Sequence, residues 1–115
     1  MTQEPHTAAP AEPISISDPS ELASAASTYD VVLADFYADW CGPCRMMEPT
    51  LETVAAETSA AVVKVDVDQF QQLAAQYNVQ GIPTLVLFAD GDPVERLVGL
   101  QNGDQLTSLI ETHKP

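Results

Sequence analysis

Cys41 and Cys44 are the only cysteines in this 115-residue chain, and two residues separate them. Thiols at that spacing can close a small disulfide ring without unfolding anything around them. They therefore suit exchange of that disulfide with another molecule better than stapling of a fold. With no third cysteine, each must pair with the other or react outside the chain. Half of a zinc site is the competing use, but zinc takes about four ligands. The two histidines, His6 and His113, lie near opposite ends of the sequence, so no metal site is expected. Two inert core thiols would have no need of the Gly42-Pro43 pair between them, and the spacing points to redox chemistry.

That chemistry depends on what holds the pair. Val31 to Tyr37 is almost continuously apolar, the pattern of a strand covered on both faces. The cysteines follow it directly, and Met47, Leu51, Val54 and Ala55 then recur at helical spacing to about Glu57. Cys41 thus falls where a buried strand ends and a helix begins. Unpaired amides and the positive helix end stabilise a thiolate there, lowering its pKa below the ~8.5 of a free cysteine. Cys44, one turn further in and on the same side, is expected to be more buried and to resolve a mixed disulfide by attacking Cys41. Gly42 and Pro43 keep the turn compact, and proline tolerates an early helix position because its missing N–H has no partner there. Asp35 interrupts the buried strand. With Ala34 and Phe36 on one side and Leu33 and Tyr37 on the other, it has no wet face. Burial raises the pKa of an acid, and desolvated acids beside reactive groups are commonly catalytic.

The remaining elements follow from period and punctuation. Ile14 to Ser17 alternates like a short strand. Asp18-Pro19-Ser20-Glu21 reads as a helix start, with Asp18 as cap, Pro19 in the first helical position and Glu21 reaching back as a capping box; the helix runs to about Ser27. Pro49 should kink the helix that follows the cysteines. A second buried strand is expected at Val62–Val67 and a helix over Gln69–Tyr77. Thr84–Phe88 and Val94–Val98 read as strands joined through Asp90-Gly91-Asp92-Pro93, a hairpin signal. Asn102 and Gln105 read as a capping box for a closing helix through about His113, with Leu106, Leu109 and Ile110 inward. The order β-α-β-α-β-α-β-β-α predicts an α/β sheet covered on both faces, with parallel pairing through helical crossovers followed by one antiparallel hairpin.

The run Ala34-Asp35-Phe36-Tyr37-Ala38-Asp39-Trp40-Cys41-Gly42-Pro43-Cys44-Arg45-Met46 closely resembles the active-site segment of the thioredoxin family. Gly81-Ile82-Pro83-Thr84 is similar to the family's second signature, and Gly91 and Gly99 fall where its members also place glycines. The resemblance covers roughly Ile14 to Lys114. It implies a thioredoxin fold, a central mixed five-stranded sheet flanked by four helices, and a protein-disulfide oxidoreductase that carries no bound cofactor. Cys41 then matches the nucleophile, Cys44 the resolving thiol, and Asp35 the buried acid that moves a proton to or from Cys44. Pro83 matches a cis-proline facing the disulfide, and Ile82 offers backbone hydrogen bonds to an extended client segment. Trp40 matches the aromatic flanking the site, and Lys64 the lysine whose stem lies near the buried acid. Tyr37 departs from the tryptophan often found at its position, a mild aromatic swap. The implied partners are disulfide-containing client proteins and a thioredoxin reductase, and the implied state is a monomer. From the residues alone, Lys64 equally fits a solvated strand position; Trp40 fits ordinary core, although its place directly before Cys41 favours a surface beside the thiol; and Pro83 fits a trans turn, since only about 5–6% of X–Pro bonds are cis.

Composition bounds the rest. The formal net charge is −13, with 17 acidic residues against Arg45, Lys64, Arg96 and Lys114. Nucleic acid is an unsuitable partner, because neutralising phosphates needs a basic face. No apolar run approaches the roughly 18 residues of a membrane span. The acids are scattered rather than run together, giving a charged surface suited to high salt and pointing to a salt-loving source. Residues 1–12, with Pro5 and Pro10 but neither a Lys or Arg nor an apolar core, lack the parts of a secretory signal. They read as a disordered leader before a single domain over residues 13–115, and the chain as cytoplasmic. Two other functions compete. A scaffold subunit with incidental cysteines would need none of Cys41, Cys44, Asp35 and Pro83, and a disulfide-forming oxidant conflicts with a reducing cytosol.

Overall fold

The computed structural model describes residues 7–115, so the expectation for residues 1–6 lies outside the described residues. The elements are β1 (Ile14–Ser15), α1 (Ser20–Thr28), β2 (Val31–Tyr37), α2 (Gly42–Glu57), β3 (Ala61–Asp66), α3 (Gln71–Gln76), β4 (Thr84–Ala89), β5 (Asp92–Val98) and α4 (Gly103–His113). The strands form one sheet in the order β1-β3-β2-β4-β5, the expected mixed five-stranded sheet with four helices. Its centre is β2. Period-two alternation sends Val32, Ala34 and Phe36 into one core with Leu22, Ala26, Leu73 and Ala74 of α1 and α3. The other face carries Val31 and Leu33 into a second core with Met47, Leu51 and Val54 of α2 and Leu106 and Ile110 of α4. Each fully buried aliphatic or aromatic side chain contributes about 1.5–3 kcal/mol.

The local signals act largely as read, with three differences. At α1, the Asp18 carboxylate accepts from the Ser20 backbone N–H at 2.9 Å. Glu21 does reach back, but its carboxylate accepts from the N–H and hydroxyl of Ser17, not from Asp18. One extra residue thus lies inside the box. The α3 helix is shorter than expected. Asp66 Oδ1 accepts from Asp68 N at 2.9 Å and its carbonyl from Phe70 N, which holds residues 67–70 in turns. At the far end Asn78 adopts a left-handed φ of 56°, and the Arg96 guanidinium donates to the carbonyls of Tyr77 and Asn78.

The third difference concerns strand direction. β1 and β2 both pair parallel with β3, but β4 runs antiparallel to β2 as well as to β5. The α3 connection therefore does not return a parallel strand. The chain consequently re-enters the sheet at the end where β3 left it. That end is also where β2 finishes, so residues 81–84 meet the cysteines. The β4–β5 hairpin closes through Asp90 and Gly91 alone, at φ 51° and 87°, the two-residue turn with both central residues left-handed. Val94 is the extra residue of a bulge between the Leu87 and Phe88 pairings, and Pro93 sits on the edge strand, where a missing donor costs least.

Candidate active site

Cys41 and Cys44 are joined as a disulfide with Cα atoms 5.2 Å apart. Cys41 caps α2 from outside the helix, with extended backbone angles, and its Sγ accepts from the Cys44 backbone N–H at 3.2 Å. An amide that would otherwise lack a helical partner is thus aimed at this sulfur, which favours the thiolate once the pair is reduced. Both sulfurs lie in a small cluster with Ala38, against which Tyr37, Val67 and Ile82 pack. Pro43 occupies the second position of α2, where its missing N–H costs nothing, and the helix continues across Pro49 to Glu57. Gly42 has no unusual backbone angle, and a methyl at its Cα would project into open space. The turn itself does not require a glycine there.

Opposite the disulfide, the Ile82–Pro83 bond is cis, and the Ile82 carbonyl lies 3.9 Å from Cys41 Sγ. The carbonyl of Pro83 accepts from Gly99 N at 2.8 Å. Gly99 has φ 88°, a conformation that L side chains adopt rarely, and the Gln101 amide donates to its carbonyl. These contacts draw the end of β5 against residues 81–84. Val98 and Leu100 are exposed on either side of Gly99, and Trp40 is 69% exposed beside Cys41. Trp40 is therefore surface, held by a 2.8 Å hydrogen bond from Nε1 to Asp68 Oδ2. An apolar rim beside a disulfide, with the Ile82 backbone against the reacting sulfur, can receive an extended peptide.

Near the end of β2, Asp35 is 1% exposed, and neither carboxylate oxygen has a hydrogen-bond partner among the described residues. Desolvation pushes its pKa up to about 6, against a lowering influence from Lys64 and a smaller raising one from Glu48. Lys64 pairs in register with Asp35 across β2 and β3. Its ammonium, however, sits 4.3 Å from the Tyr37 ring centroid and 3.4 Å from Glu48 Oε1. Tyr37 is pushed up as well, chiefly by burial and then by Asp66, Asp39, Asp35 and Glu48. The fold thus gathers Asp35, Trp40, Cys41, Gly42, Pro43, Cys44, Lys64, Ile82, Pro83 and Gly99 at one end of the sheet. Sequence reasoning missed Glu48 and Asp68, which touch Lys64 and Trp40 only through tertiary packing. Glu48 does carry one signal, its place one helical turn after Cys44. Among the described residues no group of three or more His, Cys, Asp or Glu side chains is arranged to hold a metal, and no helix is long and apolar enough to cross a membrane.

Comparison with known proteins agrees with this geometry. The family model described as thioredoxin matches residues 17–112. A thioredoxin of Chlamydia trachomatis serovar D is 52% identical over 85 residues, covering 73% of this chain and 83% of that protein. One from Staphylococcus aureus is 47% identical over 85 residues, covering 72% and 82%. Among solved structures, a mutant thioredoxin from Halobacterium salinarum NRC-1 superposes with a TM-score of 0.90 at 58% identity, over 95% of this chain and 96% of that one. A thioredoxin from Nicotiana alata gives 0.79 at 34% identity, over 95% and 98%. Proteins of this kind are protein-disulfide oxidoreductases that work through their own cysteines without a cofactor. With a disulfide at the start of α2 and a cis proline opposite it, this chain belongs to the thioredoxin family.

Proposed function

We infer that the protein is a reductant of protein disulfides. The observation that carries this reading is the Cys41–Cys44 disulfide seated at the N-terminus of α2, with Cys41 Sγ facing the Ile82 carbonyl. The reduced protein starts each cycle. The Cys41 thiolate attacks one sulfur of a client disulfide, a bond forms between Cys41 and the client, and the departing client thiolate takes up a proton. The Asp35 carboxylate accepts the proton of Cys44, directly or through water, and the Cys44 thiolate then attacks Cys41 Sγ. The mixed disulfide breaks, the second client thiolate leaves and is protonated, and Cys41–Cys44 is oxidised. Two electrons and two protons have passed to the client. A thioredoxin reductase returns them in the reverse sense.

Clients dock in extended form along Ile82 and Pro83, with Trp40, Val98 and Leu100 flanking the reacting sulfur. Main-chain recognition of this kind accommodates many sequences. Lys64 modulates Asp35, and Gly99 keeps the rim open. The protein works as a monomer in the cytoplasm over the domain 13–115, with no nucleic-acid or membrane partner. Its acidic surface and its 58% identity to a Halobacterium salinarum thioredoxin support a salt-rich setting. Replacing Cys44 with Ser removes the resolving thiol while leaving the nucleophile. The Cys44→Ser protein is expected to accumulate client proteins in dithiothreitol-sensitive adducts through Cys41, and the parent chain to reduce insulin in the presence of dithiothreitol. Absence of both would overturn the reading.

A further inference from the structure

Asp35 and Lys64 face each other in register from neighbouring strands, yet both carboxylate oxygens of Asp35 are without a hydrogen-bond partner among the described residues. An ammonium beside a desolvated carboxylate gains most by bonding it directly. The ammonium of Lys64 does otherwise. It lies over the Tyr37 ring and against Glu48 Oε1, 3.4 Å away. The Glu48–Lys64 pair borders a cleft of about 710 Å³ between residues 11–13 and α2. Water therefore reaches the pair, while Asp35 stays dry.

We propose that Glu48 is a positioning residue for disulfide exchange: it tethers Lys64 away from Asp35, so that the buried carboxyl stays an unpaired, exchangeable proton carrier for Cys44 rather than half of a permanent ion pair. The proposal rests on the role given to Asp35 above and adds the residue that sets its working range. An Asp35 locked onto Lys64 would hold no proton near neutrality and would be a weaker base. Two effects of Glu48 run the same way. Its negative charge acts on Asp35 from α2, and its hold on Lys64 limits the opposing positive charge. The other groups that act on or oppose Asp35 are Lys64 from β3 and Tyr37 along its own strand; β4 opposes it with the apolar Leu85.

The test is a carboxyl carbon NMR titration of Asp35 in the oxidised protein, read beside the pH profile of insulin reduction. In Glu48→Gln the Asp35 midpoint is expected to move to lower pH, and Glu48→Asp, which keeps the charge, to restore much of it. In a Lys64→Met background the effect of Glu48→Gln is expected to shrink, because the tethered charge is gone. The reduction profile of Glu48→Gln is expected to move with the titration. Its loss of rate should stay well short of the roughly 10²-fold typical of losing a general base outright. An unmoved Asp35 midpoint in Glu48→Gln overturns the proposal, as does an equal shift with and without Lys64. A midpoint that moves while the reduction profile stays fixed upholds the tether and instead refutes Asp35 as the proton carrier.

Discussion

Asp35 carries an energetic cost that can be measured apart from its chemistry. Its carboxyl binds a proton more tightly in the folded chain, at about 6, than the ordinary 3.8 of an unfolded aspartate, because burial penalises the charged form. Between those values the folded state holds more protons than the unfolded one, so stability falls as pH rises through the interval. Above about 6 the penalty is complete and amounts to about 3 kcal/mol; below about 4 it is absent. The Asp35→Asn variant keeps the shape and removes the charge. It is expected to be more stable than the parent at pH 8 by up to about 3 kcal/mol relative to any difference at pH 4. Urea unfolding at the two pH values reads this directly. Whatever the buried amide itself costs is the same at both, so an equal difference at pH 4 and pH 8 would refute a charged, unpaired Asp35. Activity should move the opposite way, with slower resolution by Cys44 near neutrality.

Among the elements, the central strand and the starts of α2 and α4 were plain in the sequence, because their signals are local. The apolar run of Val31–Tyr37 needed no context to be read as buried, and Asn102 needed only the residues after it. Its Oδ1 accepts from Asp104 N at 2.7 Å and Gln105 N at 3.3 Å, capping α4. Asn102→Ala is expected to cost about 1 kcal/mol of stability with insulin reduction unchanged, since α4 lies under the sheet face and contributes no side chain to the disulfide. Denaturant unfolding and the reduction assay together check it. The direction of β4 was less legible. It depends on where the chain enters and leaves α3, which the Asp66 turn holds at one end and the Arg96 contacts from β5 at the other. Neither shows in a periodicity of Phe70, Leu73, Ala74 and Tyr77. The same limit explains Glu48. Cys41, Cys44 and Asp35 announce themselves by chemistry and spacing, whereas an exposed glutamate on α2 acquires meaning only when β3 brings Lys64 beneath it.

At the scale of the whole molecule the net charge of −13 is the dominant unpaired feature, since four basic side chains oppose 17 acids. Shared evenly over 6427 Å² of accessible surface, the acids other than buried Asp35 would average roughly 20 Å apart, which decides how salt acts on them. At 0.01 M the screening length is about 30 Å and each acid repels several neighbours; at 0.1 M it is about 10 Å, already half the mean spacing. Folding brings these charges closer than they are in the unfolded chain, so self-repulsion opposes the compact state and salt relieves it. The thermal midpoint is therefore expected to rise with potassium chloride, with more of the gain between 0.01 and 0.3 M than between 0.3 and 1 M. Calorimetry across that series checks both the sign and the curvature. A flat or falling midpoint would remove self-repulsion as a force on this fold. A rise that continues undiminished into molar salt would point instead to exclusion of salt from the protein surface, which strengthens apolar burial and does not saturate with screening length. The Asp35→Asn variant separates the two origins of charge effects in this molecule. Its buried site lies beyond the reach of counterions, so its stability gain at pH 8 is expected to persist at 1 M salt, when surface repulsion has been screened away.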